Sequence, residues 1–71
     1  MNKYIYKLHT DILHGRVYYG IKAIEYSTNK VVEVAHNISP NLEGVQVCIE
    51  LINKHALSPI HLHDIISDMF I

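Results

Sequence analysis

Cysteine is almost missing from this chain. The single Cys48 excludes an internal disulfide, and its place in an apolar helical pattern reads as a small buried hydrophobe. Positive charge is not in excess: six Lys plus Arg stand against seven Asp plus Glu, for a formal net charge of -1. Such a balance lacks the cationic surplus that neutralises a phosphate backbone, which argues against duplex DNA as a partner. No apolar run reaches the roughly 18 residues that a membrane span requires. The start Met1-Asn2-Lys3-Tyr4 leads into Lys7, His9 and Asp11 instead of the apolar stretch of a secretory signal, so a cytoplasmic location with no membrane partner is expected. The sequence also lacks a phosphate-cradling glycine run, a strand-turn-helix nucleophile elbow and paired carboxylates facing a common cleft. A chain of 71 residues forms little concave surface of its own, so no enzymatic activity and no cofactor are expected.

What is present is apolar surface: 49% of the residues are hydrophobic. The length supports a single domain over residues 1–71. A domain of this size buries only about 60% of the surface its unfolded chain exposes. With no disulfide to reinforce it, self-association is the expected source of further stability.

The first half alternates with the two-residue period of strands. From Lys3 to Asp11, Tyr4, Tyr6 and Leu8 fall on one side and Ile5, Lys7 and His9 on the other. His14-Gly15 supplies a turn. Arg16 to Tyr26 follows, with Val17, Tyr19, Ile21 and Ala23 as an apolar row, then the polar loop Ser27-Thr28-Asn29-Lys30, then a third strand from Val31 to Ile38. In that strand Val32, Val34, His36 and Ile38 share one face and Glu33 lies opposite. The period then changes. Ser39-Pro40 and Ser58-Pro59 each pair a capping hydroxyl with a proline suited to the first helical position, so each is expected to open a helix. Leu42, Val45, Ile49 and Ile52 form the first apolar stripe, with Cys48 beside it; Leu62, Ile65, Ile66, Met69 and Phe70 form the second, with Asp64, Ser67 and Asp68 outward. The expected fold is α+β: a three-stranded antiparallel meander followed by two helices packed on one sheet face, βββαα. If the helices cover the face with Val17, Tyr19, Ile21, Val32 and Val34, the other face keeps Ile5, Tyr18, Ile24, Tyr26, Val31 and Ala35 among Lys7, His9, Lys22 and Glu33. A contiguous apolar area of that kind is rarely left to solvent, which points to another copy as its partner.

Six histidines raise the question of metal. His61 and His63 lie two apart on a helix and point about 200° away from each other, so they do not clamp one ion. His61, Asp64 and Asp68 share a helical side, a weak arrangement against the simpler reading of a solvated face, and His9, His14, His36 and His55 read as dispersed. No metal site is expected. All five tyrosines precede residue 30 and lie beside Lys3, Lys7, Arg16 and Lys22. Phenol faces stack on nucleobases and cationic groups accept phosphate oxygens, so this combination suits a small anionic nucleotide held between subunits. Strand packing by tyrosine and solubilising lysines account for the same pattern without a ligand. The candidate ligand-binding residues are Arg16, Lys7, Lys22 and Tyr18, with His9 and His61 as accessory donors.

The segments YYGIKAIEY, HNISPNLEGVQVCIELINKHALSP and LSPIHLHDIISDMFI resemble a family of short proteins of unknown function from Gram-positive anaerobes and their mobile elements. The likeness covers about residues 16 to 71 and is most specific over Ser58 to Leu62. It implies no activity, and it makes His61 the residue of interest in that run. In type, the chain is also similar to small phage-encoded anti-defence proteins, some of which sequester nucleotide signals between subunits while others block a defence protein. The leading expectation is therefore a non-enzymatic homo-oligomer that sequesters a small nucleotide-like anion. The alternative is a protein-interaction module that regulates or inhibits a host protein.

Overall fold

Tyr4–Leu13 (β1) and Arg16–Glu25 (β2) form a long hairpin whose loop is only His14 and Gly15. Both loop residues have positive φ, 51° and 74°, as a type I′ turn demands, and its backbone twist matches that of the flanking strands. The computed structural model describes residues 3–70. Met1, Asn2 and Ile71, included in the single-domain reading and, for the first two, in the leader argument, lie outside the described residues. Glu25 and Lys30 close the next loop, in which the Thr28 hydroxyl donates to Glu25 Oε1 at 2.7 Å and Asn29 turns at φ 61°. Lys30–Ser39 (β3) completes an antiparallel sheet of order β1-β2-β3.

Leu42–Lys54 (α1) lies over β1 and β2. A 3-10 turn, Pro59–His61, leads into Leu62–Phe70 (α2), which lies over β3. The order is βββαα, with both helices on one face of the sheet, as the change of hydrophobic period indicates. Among the described residues no helix is long and apolar enough to cross a membrane.

Tyr6, Ile21, Ala23 and Ala35 of the sheet meet Val45, Cys48, Ile52 and Leu62 of the helices in the core, with Tyr4, Leu8, Tyr19, Ile38, Ile65, Ile66 and Phe70 packed around it. Cys48 is fully buried, and burial pushes its thiol pKa up, in keeping with an inert packing role. β1 is an edge strand, and the side chain of Asn53 serves it as a partial neighbour. Its Oδ1 accepts from the Tyr6 amide at 2.8 Å and its Nδ2 donates to the Tyr6 carbonyl at 3.0 Å. The Tyr6 hydroxyl donates to the Leu57 carbonyl, fastening the segment after α1 to the same strand.

Three local expectations are corrected. Asn41, not Ser39, caps α1: its side chain accepts from the Gly44 amide at 3.2 Å, while Ser39 Oγ accepts from the Asn41 amide at 3.0 Å. Pro40 therefore precedes the helix. Ser58-Pro59 opens the 3-10 turn and makes no side-chain cap, so the second helix proper starts at Leu62. The buried stripe of α1 is Val45, Cys48 and Ile52, rotated toward the cysteine, and Leu42 is left exposed.

From Glu33 to His36 the faces of β3 are also reversed from expectation, while Val31 stays on the open face and Ile38 on the helical side as expected. Ala35 is buried opposite Ile21, and Glu33 pairs with Ala23 on the helical side, where its carboxylate lies 3.8 Å from His63 of α2. Val34 pairs with Lys22 and faces away from the helices. The cause is irregular pairing: β3 holds extra residues relative to β2 between the Ile24 and Ala23 pairs and again between the Ile21 and Tyr19 pairs. Each inserted residue shifts side-chain alternation, so a count by twos along β3 fails. Asn37, at φ 50° within the second irregularity, helps return Ile38 to the core side.

Candidate functional site

The sheet face turned away from the helices can be read as successive rows across the strands. Ile5, Ile24 and Val31 form an apolar row; Lys7, Lys22 and Val34 form the next. His9 follows opposite Gly20, with His36 of β3 on the far side; then come Asp11 opposite Tyr18, and Arg16 at the hairpin tip. Strand alternation thus gathers Lys7, His9, Arg16, Tyr18 and Lys22 on one open face. His61 is not among them. It ends the 3-10 turn in the helical layer, exposed. Tyr4, Tyr6 and Tyr19 are drawn to the helical side, so the stacking surface inferred from five tyrosines reduces on this face to Tyr18, with Tyr26 exposed beyond the strand end.

Gly20 organises the centre of this face. A Cβ placed on it collides with the Ala35 carbonyl oxygen and comes within 3.2 Å of the carbonyl carbon and 3.4 Å of His36 Cα. Glycine is required because the backbone of irregular β3 approaches here too closely for any side chain. The missing side chain also leaves the space above the middle strand open. His9 and His36, reaching in from the two outer strands, meet across that gap with ring centroids 4.9 Å apart and planes at 83°.

Asp11 lies two residues beyond His9 on the same face of β1, and its carboxylate joins both rings. Oδ1 is 3.0 Å from His9 Nε2 and Oδ2 is 3.0 Å from His36 Nδ1. The hydrogen bond to His36 is the largest cause of a lowered Asp11 pKa; burial opposes it and the bond to His9 adds to it. An ionised carboxylate only accepts, so each facing ring nitrogen carries its proton. His9, Asp11 and His36 offer ligating atoms that all lie within 4.8 Å of one another.

The histidines read as dispersed are therefore partly gathered. His36 and Asp11 were missed because 25 residues separate them in the chain. Two signals pointed to the site: His9-Thr10-Asp11, whose outer members share a face by strand alternation, and a glycine in mid-strand. Among the described residues no ion pair joins Lys7 or Lys22 to a carboxylate. The two lysines are direct cross-strand neighbours, an arrangement that costs stability by like-charge repulsion.

The fold and this face define a small α+β protein with helices on one side of a three-stranded sheet and, on the other, a histidine-centred surface that also carries an apolar row and two lysines. Its family model, described as "Family of unknown function (DUF6514)", matches residues 1–71, and the chain belongs to that family. No curated protein matches the sequence and no solved structure matches the chain.

Proposed function

We propose that this protein is a non-enzymatic, homo-oligomeric binding protein that holds a small nucleotide-like anion on its open sheet face, between two copies. The observation that carries this reading is the opposed Lys7–Lys22 pair, without a carboxylate partner among the described residues. An anion seated between the ammonium groups turns their repulsion into attraction. Tyr18 and the imidazole of His9 provide flat surfaces beside the cations for a base, and Arg16 adds a guanidinium toward the tip. A protein that binds such a ligand without turning it over lowers its free concentration, which is a sequestering role.

The apolar character of the face supports a second copy, and its size limits how firmly the copies pair. Three ten-residue strands project roughly 450 Å² at ordinary strand spacing, below the roughly 800 Å² that each partner of a standard stable interface buries. Val31 remains 52% exposed on it and Tyr26, at its border, 72%. Apolar area favours pairing and limited extent keeps it reversible, so the bound anion strengthens the pair.

Thermal-shift screening of mono-, di- and cyclic nucleotides, with light scattering in parallel, tests this. At a hundred-fold excess over Kd a ligand adds about 2.7 kcal/mol. In a chain of this length that raises Tm by roughly 10–20 °C. Lys7→Ala, Lys22→Ala and Arg16→Ala are expected to reduce the shift, and mass is expected to double with ligand. A strict monomer at all concentrations, or no shift with any nucleotide, rejects the proposal and moves attention to a protein partner.

A further inference from the structure

We propose that His9, Asp11 and His36 form a binding site for a divalent transition-metal ion, with Zn²⁺ the best fit. The inference goes beyond the anion-binding reading and does not depend on it.

The donor set is two imidazole nitrogens and one carboxylate, the composition of zinc sites that keep a fourth position for water or another ligand. The donors already converge: Asp11 is 3.0 Å from each ring, through Oδ1 to His9 and Oδ2 to His36, and one ligating atom from each of the three residues fits within 4.8 Å. Tetrahedral Zn²⁺ with bonds near 2.0–2.1 Å holds its ligand atoms about 3.4 Å apart. Reaching that geometry requires the pair furthest apart to close by roughly 1.4 Å. Rotation of His36 can supply it, since that side chain is 59% exposed.

Two of the three donors stand on regularly paired strand, and the third, His36, lies in the irregular stretch of β3 between the Ala35 and Ser39 pairs. His9 and Asp11 alternate on a strand paired without irregularity to β2, and His36 stands on β3 beside the close contact at Gly20. Sites built on paired strands hold their geometry better than sites on loops. Metal binding changes the tautomer of each ring: the facing nitrogen releases its proton to water and gives its lone pair to the ion, and the other nitrogen takes up a proton and is then available for an outer hydrogen bond.

The arrangement also has a structural consequence. β1 and β3 are the outer strands and do not hydrogen-bond to each other. An ion held by both ties them together across β2, supplying the reinforcement that a small domain with a single cysteine otherwise lacks.

Protein stripped with a chelator and exchanged into phosphate-free buffer would be titrated with Zn²⁺ by calorimetry, and its melting temperature followed. One ion per chain and a higher Tm are expected. His36→Ala and Asp11→Asn each remove one donor and are expected to weaken binding by more than about 100-fold. His61→Ala and His63→Ala, in the helical layer, should leave it unchanged. Co²⁺ in place of Zn²⁺ should give the intense visible absorption of a four-coordinate ion, lost in His36→Ala. Lys7→Ala separates this site from the anion site: Zn²⁺ binding persists there while any nucleotide response falls. Absent or substoichiometric Zn²⁺ binding, or binding unchanged in both His36→Ala and Asp11→Asn, overturns the proposal and leaves a hydrogen-bonded triad only.

Discussion

Replacing Gly20 by alanine adds one methyl group, and the structure assigns that methyl a large effect. The new Cβ falls inside contact distance of the Ala35 carbonyl oxygen and 3.2 Å from its carbon, and both atoms belong to the backbone of β3. A side chain in the way could rotate aside, but a paired strand must move as a whole. Restoring ordinary contact separates β2 from β3 by roughly an ångström at this point. It loosens the Ile21–Ala35 pairing beside it and disturbs the burial of both residues. Overpacking against a fixed neighbour typically costs 1–3 kcal/mol, and a backbone collision belongs at the upper end, about 3 kcal/mol. A domain of this length has about 4–11 kcal/mol in total, so Gly20→Ala should lower Tm by roughly 12–24 °C. Urea unfolding followed by circular dichroism measures it. Gly44→Ala is the control: it lies in α1, its added Cβ meets nothing closer than 3.6 Å, and it should stabilise by roughly 0.5–1 kcal/mol through helix propensity. If Gly20→Ala proves as stable as the parent while Gly44→Ala behaves as stated, the close approach of β3 is wrong, and with it the reason the two histidines meet.

Asn53→Ala removes both bonds to the Tyr6 backbone and leaves an edge amide and carbonyl without their partner, for an expected loss of about 2 kcal/mol in chemical denaturation. Tyr6 has a pKa raised above its ordinary value of 10.0, by burial first and by Tyr4 second. The neutral phenol is the form the fold favours, so its contribution is complete below pH 10 and is lost as pH rises through the raised folded value. Tyr6→Phe should cost about 1 kcal/mol at neutral pH by losing the bond to the Leu57 carbonyl, and should flatten the alkaline part of the stability profile; an unchanged slope above pH 10 would contradict this. Ala56 sits just after α1 at φ 51°, a conformation that favours glycine. Ala56→Gly should therefore raise stability by about 1 kcal/mol in the same assay.

The order of elements was legible because the hydrophobic period changes from two to between three and four near residue 40, and because His14-Gly15 suits only a tight reversal. The helical stripes were nearly right, since Val45, Ile52, Leu62 and Ile65 do face the sheet. Two features escaped. Caps were assigned to the serines before proline, yet Asn41, one residue before the helix, has an amide side chain placed to reach the Gly44 amide. The facing of the middle of β3 was misread because Val32 and Val34 look like an inward row with Ile38, which does turn inward, and nothing in simple alternation marks the inserted residues. Of the site, the cationic row and His9 were legible from alternation along the hairpin. His36 was not, because its neighbours are fixed by the pairing of β2 with β3, and that pairing is irregular.

The histidine pair and the stability of the sheet thus rest on the same few residues. Side chains in a strand alternate with a period of two, so a one-residue slip of β3 would send His36 toward the helices and Ala35 outward. Ala35 is only 4% exposed and packs against the core, and a larger residue slipped into its place would meet helices already filled by Val45 and Cys48. The absent side chain of Gly20 lets the backbones of β2 and β3 come close. Close approach holds the register, and the register holds His36 above the gap. Asn37 then takes the left-handed conformation, which asparagine tolerates better than β-branched residues, and Ile38 re-enters the core. The triad is consequently a readout of the irregularity in β3: its geometry persists while those contacts persist, although none of its three side chains belongs to the core.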